Sequence, residues 1–398
     1  MSSKLRPVAA IAATLVLSLA LGAGDALAGA RPHRGRVARH LAGTPVPTGF
    51  VGVNENSPLL NSGNGLSLAD EFATMAKTGV QTVRVAFDWS DAQPYASWQN
   101  VPSGQAAQFE HPSGAPVDVP TDFSWTDQVV QLAALYRLRL LPVVLYAPGW
   151  DAAANPGGIP TPADPAPFAN YLTALIARYG PHGSYWVAGQ PRLPVRQWQI
   201  WNEPNIPYYW HQPSARGYVR LLSAAHAAIV QADPGARTVV GAITNYSWKY
   251  VGQLYRVRGV RSLFNVMAIN PFTSTPARVV RILRLVRRVM DAHGDAAKQL
   301  MATEVGWTSA QGVPGAHFDW DTSEAGQARD VARLLPLLAA DRRSLRLAAF
   351  YYYTWIGDES QRGYDFNFAG LFKVQNGQAV PKPAYWAFKR AARAIETR

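Results

Sequence analysis

Short apolar segments alternate with helix-type segments eight times along this chain of 398 residues. The strand candidates are apolar at nearly every position, as in the run LLPVVLY at 140–146, which is expected where helices cover both faces of a parallel sheet. Eight strand-then-helix units favour a closed barrel over an open doubly wound sheet. We therefore predict an α/β fold, a single (β/α)8 TIM barrel. Its predicted strands are 50–54, 82–89, 140–148, 196–204, 238–245, 266–272, 301–307 and 348–355.

Helix-type periodicity fills the gaps between these strands. The first helix is predicted between Ser67, a capping residue, and Gly79, a stop signal. Pro336 is expected to kink the helix 323–340 or to end it early. The other predicted helices are 126–138, 166–179, 218–232, 278–293 and 383–397. The polar, proline-rich stretches 91–122 and 151–165 are then long loops after strands two and three, on the barrel face where active sites lie.

The N-terminus has the pattern of a secretory signal peptide. Lys4 and Arg6 precede an apolar run at 7–22, and Ala26-Leu27-Ala28 supplies small residues for cleavage. An uncleaved membrane anchor is the alternative, but the run is shorter than the roughly 20 residues that span a bilayer. We expect a signal peptide at 1–28, a basic flexible tail at 29–45 and the barrel domain at 46–398. The protein is then secreted or attached to the cell surface, with no transmembrane domain after cleavage.

Composition excludes several kinds of chemistry. The chain has no cysteine, so disulfides and thiolate zinc sites are excluded, and its eight histidines show no metal-ligand spacing. A Gly-rich phosphate loop followed by lysine is also absent. We therefore predict neither a metal nor a cofactor, and a metal-dependent sugar isomerase or hydrolase becomes an improbable alternative.

The charge is strongly basic, with a formal net value of +12. Five arginines lie within one predicted helix, from Arg278 to Arg288. Nucleic acid is not expected as a partner, because the aromatic residues that could stack on bases lie elsewhere in the chain. Two interpretations stay open for the arginines: an ordinary solvated basic face, or attraction to an anionic polymer or cell surface.

Two lone glutamates stand toward the ends of predicted strands, Glu203 in strand four and Glu304 in strand seven. A buried carboxylate is costly unless it is paired or used. One such residue could belong to a structural ion pair. Two on different strands, each next to tryptophan, point to a pair facing one another across a cleft, which is what hydrolysis of a glycosidic bond needs.

Two motifs make this interpretation specific. Trp201-Asn202-Glu203-Pro204 and Glu304-Val305-Gly306-Trp307 resemble the acid/base and nucleophile motifs of clan A glycoside hydrolases, the retaining (β/α)8-barrel enzymes. Families 39 and 5 are the most similar, including secreted bacterial exopolysaccharide hydrolases and cellulase-type glycosidases. The resemblance covers about residues 49–397. It implies cleavage of O-glycosidic bonds, expected to be β, with Glu203 as acid/base and Glu304 as nucleophile.

Further positions match that clan. Arg84 resembles the strand-two arginine that keeps the nucleophile ionised, with a helix–sheet salt bridge as its alternative role. Asn202 resembles the asparagine that contacts the sugar 2-hydroxyl, with turn formation as the alternative. Trp355 resembles the tryptophan beneath the first sugar subsite. Substrate-binding positions are also expected at Trp89, Trp307, Tyr246 and Asn270.

One position departs from the family pattern. Strand six ends in Asn270-Pro271-Phe272, where many relatives have His-Pro-Tyr, and Phe272 lacks the hydroxyl that would bond the nucleophile. Either Tyr246 or another hydroxyl replaces it, or the nucleophile is tuned differently. A weak or inactive barrel that acts as a carbohydrate-binding protein of the cell surface stays open as an alternative.

The predicted partner is a polysaccharide or oligosaccharide. The chain has 13 tryptophans, and many fall at or after predicted strand ends, where flat aromatic faces could stack on sugar rings. Endo and exo action remain open, because the long loops could close a pocket over a chain end. We expect a monomer.

Overall fold

Eight parallel strands close into a barrel, as predicted. The structure, a computed structural model, describes residues 46–55, 65–316 and 318–396. The predicted signal segment 1–28 and tail 29–45 lie outside the described residues. Around the barrel the strands follow one another in the order β1-β8-β7-β6-β5-β4-β3-β2. They are β1 Val51–Glu55, β2 Thr82–Asp88, β3 Arg139–Leu145, β4 Gln197–Asn202, β5 Arg237–Ala242, β6 Val266–Ile269, β7 Gln299–Val305 and β8 Leu347–Tyr352.

A helix follows each strand and covers the outside of the barrel. The helices are α1 Leu68–Thr78, α2 Ser124–Leu135, α3 Pro165–Tyr179, α4 Ala215–Ala232, α5 Ser247–Tyr255, α6 Pro276–Ala292, α7 Glu324–Leu345 and α8 Pro383–Ile395. Seven of them correspond to predicted helices, most with at least one end shifted, and α5 was not predicted. Among the described residues, no helix is both long enough and apolar enough to cross a membrane.

Local signals explain the ends of α1. The Ser67 side chain accepts a hydrogen bond from the Asp70 amide at 3.2 Å, which satisfies an N–H that the helix itself leaves free. At the other end Gly79 adopts a left-handed conformation with φ 101°, which glycine takes at little cost. Both ends fall where the sequence predicts them.

Helix α7 continues through Pro336 to Leu345, so the expectation of an early end is wrong. The proline ring removes one helical hydrogen bond. However, the residues on the inner side of this helix are fully buried on both sides of Pro336, including Leu334, Leu335 and Leu338. Burial of these side chains against the barrel offsets the local cost.

The connections after β2 and β3 are long, as predicted, and a third long connection follows β8. The β3–α3 loop contains a two-residue pairing of Ala152–Ala153 with Thr161–Pro162. The β8–α8 connection forms a three-stranded sheet of Ile356–Gly357, Phe372–Gln375 and Gln378–Pro381, which the sequence did not predict. These loops surround the end of the barrel at which the strands terminate.

The lower interior of the barrel is filled by apolar side chains. Leu141, Val239, Ala268 and Met301 belong to a cluster that is separate from the larger core between the strands and the helices. The interior changes character toward the carboxyl ends of the strands, where buried polar side chains replace apolar ones. The candidate site is built at this level.

Candidate active site

Glu203 and Glu304 both lie at the carboxyl end of the barrel. Glu203 directly follows β4, Glu304 is the penultimate residue of β7, and each is 8% exposed. The chain turns sharply at the end of β4, since Trp201 and Glu203 have positive φ angles of 68° and 40°. Non-glycine residues rarely adopt this conformation, which costs on the order of 1 kcal/mol and is common at functional sites.

Arg84, on β2, is the centre of the hydrogen-bond network. It is 5% exposed and pairs with Glu304 at 2.6 Å, from Nη1 to Oε1. Its remaining donors reach three side-chain oxygens: Gln199 Oε1 from Nε at 2.7 Å, Asn54 Oδ1 from Nη1 at 2.7 Å and Asn202 Oδ1 from Nη2 at 2.8 Å. Side chains of β1, β4 and β7 therefore hold the guanidinium in one orientation.

Sequence reasoning identified Arg84 and Asn202 but missed Asn54 and Gln199. Both are polar residues of barrel strands, and each is at most 1% exposed. A buried amide requires a partner, but the sequence does not show that this partner is Arg84. Asn54 also donates to the Thr303 carbonyl oxygen at 2.8 Å, which ties β1 to the strand that carries Glu304.

Glu203 has a different environment from Glu304. Its Oε1 accepts a hydrogen bond from Asn270 Nδ2 at 2.8 Å, and Thr303 Oγ1 donates to Asn270 Oδ1 at 2.9 Å, which fixes the orientation of the amide. Burial, followed by the negative charge of Glu304, raises the pKa of Glu203 to about 8. The hydrogen bond from Asn270 acts in the opposite direction.

Burial also raises the pKa of Glu304, whereas the charge and hydrogen bond of Arg84 lower it. Arg84 forms its ion pair with Glu304 and not with Glu203. The two carboxyl groups repel each other when both are ionised, so one proton is retained by the pair. The arrangement favours the proton on Glu203 and the negative charge on Glu304. The buried group of Glu203, Glu304 and Arg84 then has no net charge.

Tyrosine side chains surround the carboxylates. Burial raises the pKa of Tyr146, Tyr209 and Tyr364, and the negative charge of Glu304 raises each of them further. These phenols come from the end of β3, the β4–α4 loop and the β8–α8 connection. They stay protonated, and therefore neutral, at neutral pH. The sequence analysis did not select them.

Three predicted substrate-binding tryptophans lie in the core instead. Trp89, Trp307 and Trp355 are each at most 1% exposed. The indole N–H of Trp89 donates to Gln93 Oε1 at 2.8 Å, and that of Trp355 donates to Glu71 Oε2 at 2.7 Å. The rings are covered by protein in this structure, and their predicted contact with substrate stays a prediction. The prediction that these tryptophans lie near strand ends is correct, but a single sequence does not show which way a ring points.

Tyr246 is placed at the rim, where it is 51% exposed. Its ring contacts Trp248 at 5.6 Å between centroids, and Lys249 Nζ lies 4.7 Å from the ring centroid. No hydrogen bond between Tyr246 and Glu304 is present in the described part of the chain. The hydroxyl expected to compensate for Phe272 is therefore not supplied by Tyr246 here.

Phe272 belongs to an aromatic group at the rim. Its ring stacks on Trp320 at 5.0 Å and meets Tyr353 and Phe366 edge-on at 5.7 and 5.3 Å. Phe272, which follows β6, and residues of the β7–α7 loop and the β8–α8 connection thus form one aromatic wall, and among these four rings only that of Trp320 is buried. Gly306 permits the close approach of β7 to this wall, since a Cβ there would lie 2.2 Å from the Tyr353 carbonyl oxygen.

Within residues 46–55, 65–316 and 318–396, no three histidine, aspartate or glutamate side chains converge as metal ligands would.

Solved structures with the same barrel are numerous, and their similarity extends over most of this chain. A family 39 glycoside hydrolase from Bacteroides cellulosilyticus aligns with a TM-score of 0.59 at 19% identity, covering 87% of this chain and 64% of its own. A monomeric β-xylosidase from Caulobacter crescentus aligns at 0.60 and 17% identity, covering 87% and 69%. The family 53 catalytic domain from Ignisphaera aggregans aligns at 0.55 and 19% identity, covering 89% and 99%.

The chain has the fold of these glycoside hydrolases. It spans less than two thirds of the length of the Bacteroides enzyme. No protein-family model matches the sequence, and no curated protein matches it either. At these identities the similarity establishes the fold, and the function must be argued from the site.

Proposed function

We propose that this protein is a retaining glycoside hydrolase that cleaves β-O-glycosidic bonds of a polysaccharide or oligosaccharide. One observation carries the proposal: two buried glutamates at the same rim, of which one is ion-paired with Arg84 and the other has its pKa raised to about 8. Two carboxyl groups with opposite protonation states are what double displacement requires. The glycoside hydrolases among the structural neighbours support the same reaction class.

In the first step, Glu304 attacks the anomeric carbon and forms a covalent glycosyl-enzyme. Glu203 gives its proton to the departing glycosidic oxygen as the bond to that oxygen breaks. Arg84 stabilises the ionised form of Glu304 before the attack. Asn270 holds one oxygen of Glu203, so the other oxygen is left to carry the proton.

In the second step, Glu203 takes a proton from water, which attacks the anomeric carbon and releases Glu304. The same residue thus acts first as acid and then as base. Asn202 is held by Arg84 and is the proposed contact for the sugar 2-hydroxyl. We further propose that the protein is secreted or associated with the cell surface and acts as a monomer.

The test compares Glu203→Gln, Glu304→Ala and a control, Glu110→Gln, on a panel of polysaccharides and aryl glycosides. Glu110 pairs with Arg178 at 2.8 Å and forms no hydrogen bond with Arg84, Glu203 or Glu304 in the described structure. We expect both site variants to lose hydrolysis of unactivated substrates, and the control to retain it. Glu203→Gln should still react with an aryl glycoside that has a very good leaving group, because that group needs no proton.

Two outcomes would contradict the proposal. Wild-type activity in Glu304→Ala would exclude the assigned nucleophile. Binding of a polysaccharide without release of sugar, by the wild-type protein, would favour the alternative of an inactive carbohydrate-binding barrel, and Phe272 would then be the first position to restore to tyrosine.

A further inference from the structure

Helix α6 carries a row of exposed arginines, Arg278, Arg281, Arg284 and Arg288, which we call the α6 arginine row. Their spacing of three, three and four residues places them on one side of the helix. The row extends over about 15 Å at 1.5 Å per residue. Because α6 follows β6, its first turn lies at the same end of the barrel as Glu203 and Glu304.

The charges on α6 are opposite to those that stabilise a helix. Arg278 stands in the first turn, where the helix has no acid, and Asp291 stands near the end, where the last turn has no basic residue. The helix dipole favours the reverse arrangement. Neighbouring arginines three and four residues apart also repel one another. The row therefore is not explained by the stability of α6.

Acidic side chains of the protein pair with only some of the arginines of α6. Arg287, on the inner side, is 5% exposed and is satisfied by Asp291 Oδ1 and by the backbone carbonyls of Asp295 and Lys298 at 2.7–2.8 Å. It is a structural arginine. In the row, by contrast, only Arg284 has an acidic partner in the described structure, Asp341 of α7 at 2.9 Å.

The surroundings of the row indicate what could bind there. No large apolar residue of α6 is fully exposed, so the surface lacks the side chains that would insert into a membrane. Aromatic residues for base stacking are also absent from α6. Evenly spaced guanidinium groups suit a polymer with repeated carboxylate or sulfate groups, since arginine binds such oxyanions through two parallel hydrogen bonds.

We propose that the α6 arginine row is an accessory docking site for an anionic polysaccharide, outside the candidate active site. A bound chain would run along α6 from the rim of the barrel. The choice of a polysaccharide over other polyanions rests on the proposed function, whereas the proposal that the row binds a polyanion does not. Binding here does not require that the carboxylates are catalytically active.

Affinity electrophoresis of the purified full chain in gels containing sodium polygalacturonate tests this directly. The variants are Arg281→Glu/Arg288→Glu and the milder Arg281→Gln/Arg288→Gln. The control pair makes the same changes at Arg216 and Arg220, two exposed arginines four residues apart on α4. Gels with dextran correct for changes in mobility that come from net charge alone, and circular dichroism confirms that each variant is folded.

We expect wild-type affinity for polygalacturonate to fall steeply with salt, because exposed charges are screened. The α6 Glu variant should lose about tenfold or more in affinity, the α6 Gln variant should lose less, and both α4 variants should stay close to wild type. Equal losses in the α6 and α4 variants would overturn the proposal, since only net charge would matter. Unchanged binding in the α6 variants would also overturn the proposal. The same holds if the α6 variants lose affinity only for DNA, or only for vesicles of phosphatidylcholine and phosphatidylglycerol in equal parts. Failure of hydrolysis alone would leave this binding result intact.

Discussion

Arg84 is the residue on which the proposed charge state depends. Its donors reach four side chains, so a lysine could keep the charge but not the planar set of hydrogen bonds. We expect Arg84→Lys to reduce kcat/KM about 10- to 100-fold, the scale of one lost charge-assisted hydrogen bond. Steady-state kinetics beside a thermal melt separate this effect from unfolding. Full activity in a folded Arg84→Lys protein would show that orientation of Glu304 is unimportant.

The pKa of Glu203 predicts the pH dependence of activity. Protonated Glu203 is required as acid, so kcat/KM should fall as the pH rises through about 8. Asn270→Asp removes the hydrogen bond that lowers this pKa and adds a negative charge. The alkaline limb should therefore move to higher pH in Asn270→Asp, although the rate itself falls.

A shift of that limb to lower pH, or an alkaline limb that persists in Glu203→Gln with an activated aryl glycoside, would assign the titration to another group. The pH profile of kcat/KM is measured for all three proteins on the same substrate.

The same pKa also affects stability. The pKa of Glu203 in the folded state is raised to about 8, so it holds its proton up to that pH, whereas in the unfolded chain it ionises near its ordinary pKa of 4.5. The unfolded state therefore binds fewer protons between these values, and stability falls as the pH rises across that window. Glu203→Gln removes this contribution. The difference in free energy of unfolding, variant minus wild type, should grow from pH 5 to pH 8 in denaturant titrations, and a constant difference would contradict the raised pKa.

At the scale of elements, periodicity was sufficient for the barrel but not for its irregular parts. All eight strands and seven helices could be predicted because buried parallel strands and amphipathic helices have distinct patterns. Helix α5 was missed since it is short and begins after Tyr246, which has a left-handed conformation with φ 49° and no side-chain cap. The extent of α7 beyond Pro336 depends on packing against the barrel, which a local rule about proline does not include.

One connection makes an element-scale prediction. The side chain of Lys382 is fully buried and donates to Ser309 Oγ at 2.7 Å, Glu359 Oε1 at 2.8 Å and the Phe368 carbonyl at 2.9 Å. It thereby joins the β7–α7 loop to the β8–α8 connection, which carries Tyr364 and Phe366. Lys382→Met should destabilise the protein by about 1–3 kcal/mol, because Ser309, Glu359 and the Phe368 carbonyl lose their donor, although Glu359 keeps part of its solvation at 19% side-chain exposure.

The double variant Lys382→Met/Glu359→Gln should recover part of that loss, as measured in a double-mutant cycle by denaturant unfolding. Additive effects would show that the two residues do not interact energetically. Activity should also fall in folded Lys382→Met protein, because the β8–α8 connection, which contributes Phe366 to the aromatic wall, is no longer held by Lys382.

At the scale of the whole molecule, the site brings together residues that are far apart in sequence. Glu203, Glu304 and Arg84 could be recognised because their motifs resemble those of a known clan. Asn54 and Gln199 could not, since their role appears only when β1 and β4 meet Arg84 in space. The surrounding tyrosines come from loops, whose course is set by tertiary contacts such as those of Lys382.

The most direct test of the central claim is covalent trapping. The purified protein is incubated with activated 2-fluoro glycosides of xylo, gluco, galacto and manno configuration, followed by intact mass and peptide mapping. We predict one adduct, located on Glu304, from at least one configuration, and the configuration that reacts identifies the sugar of the first subsite. An adduct on another residue, or hydrolysis of the natural substrate with inversion at the anomeric carbon, would contradict the assignment of Glu304 as nucleophile.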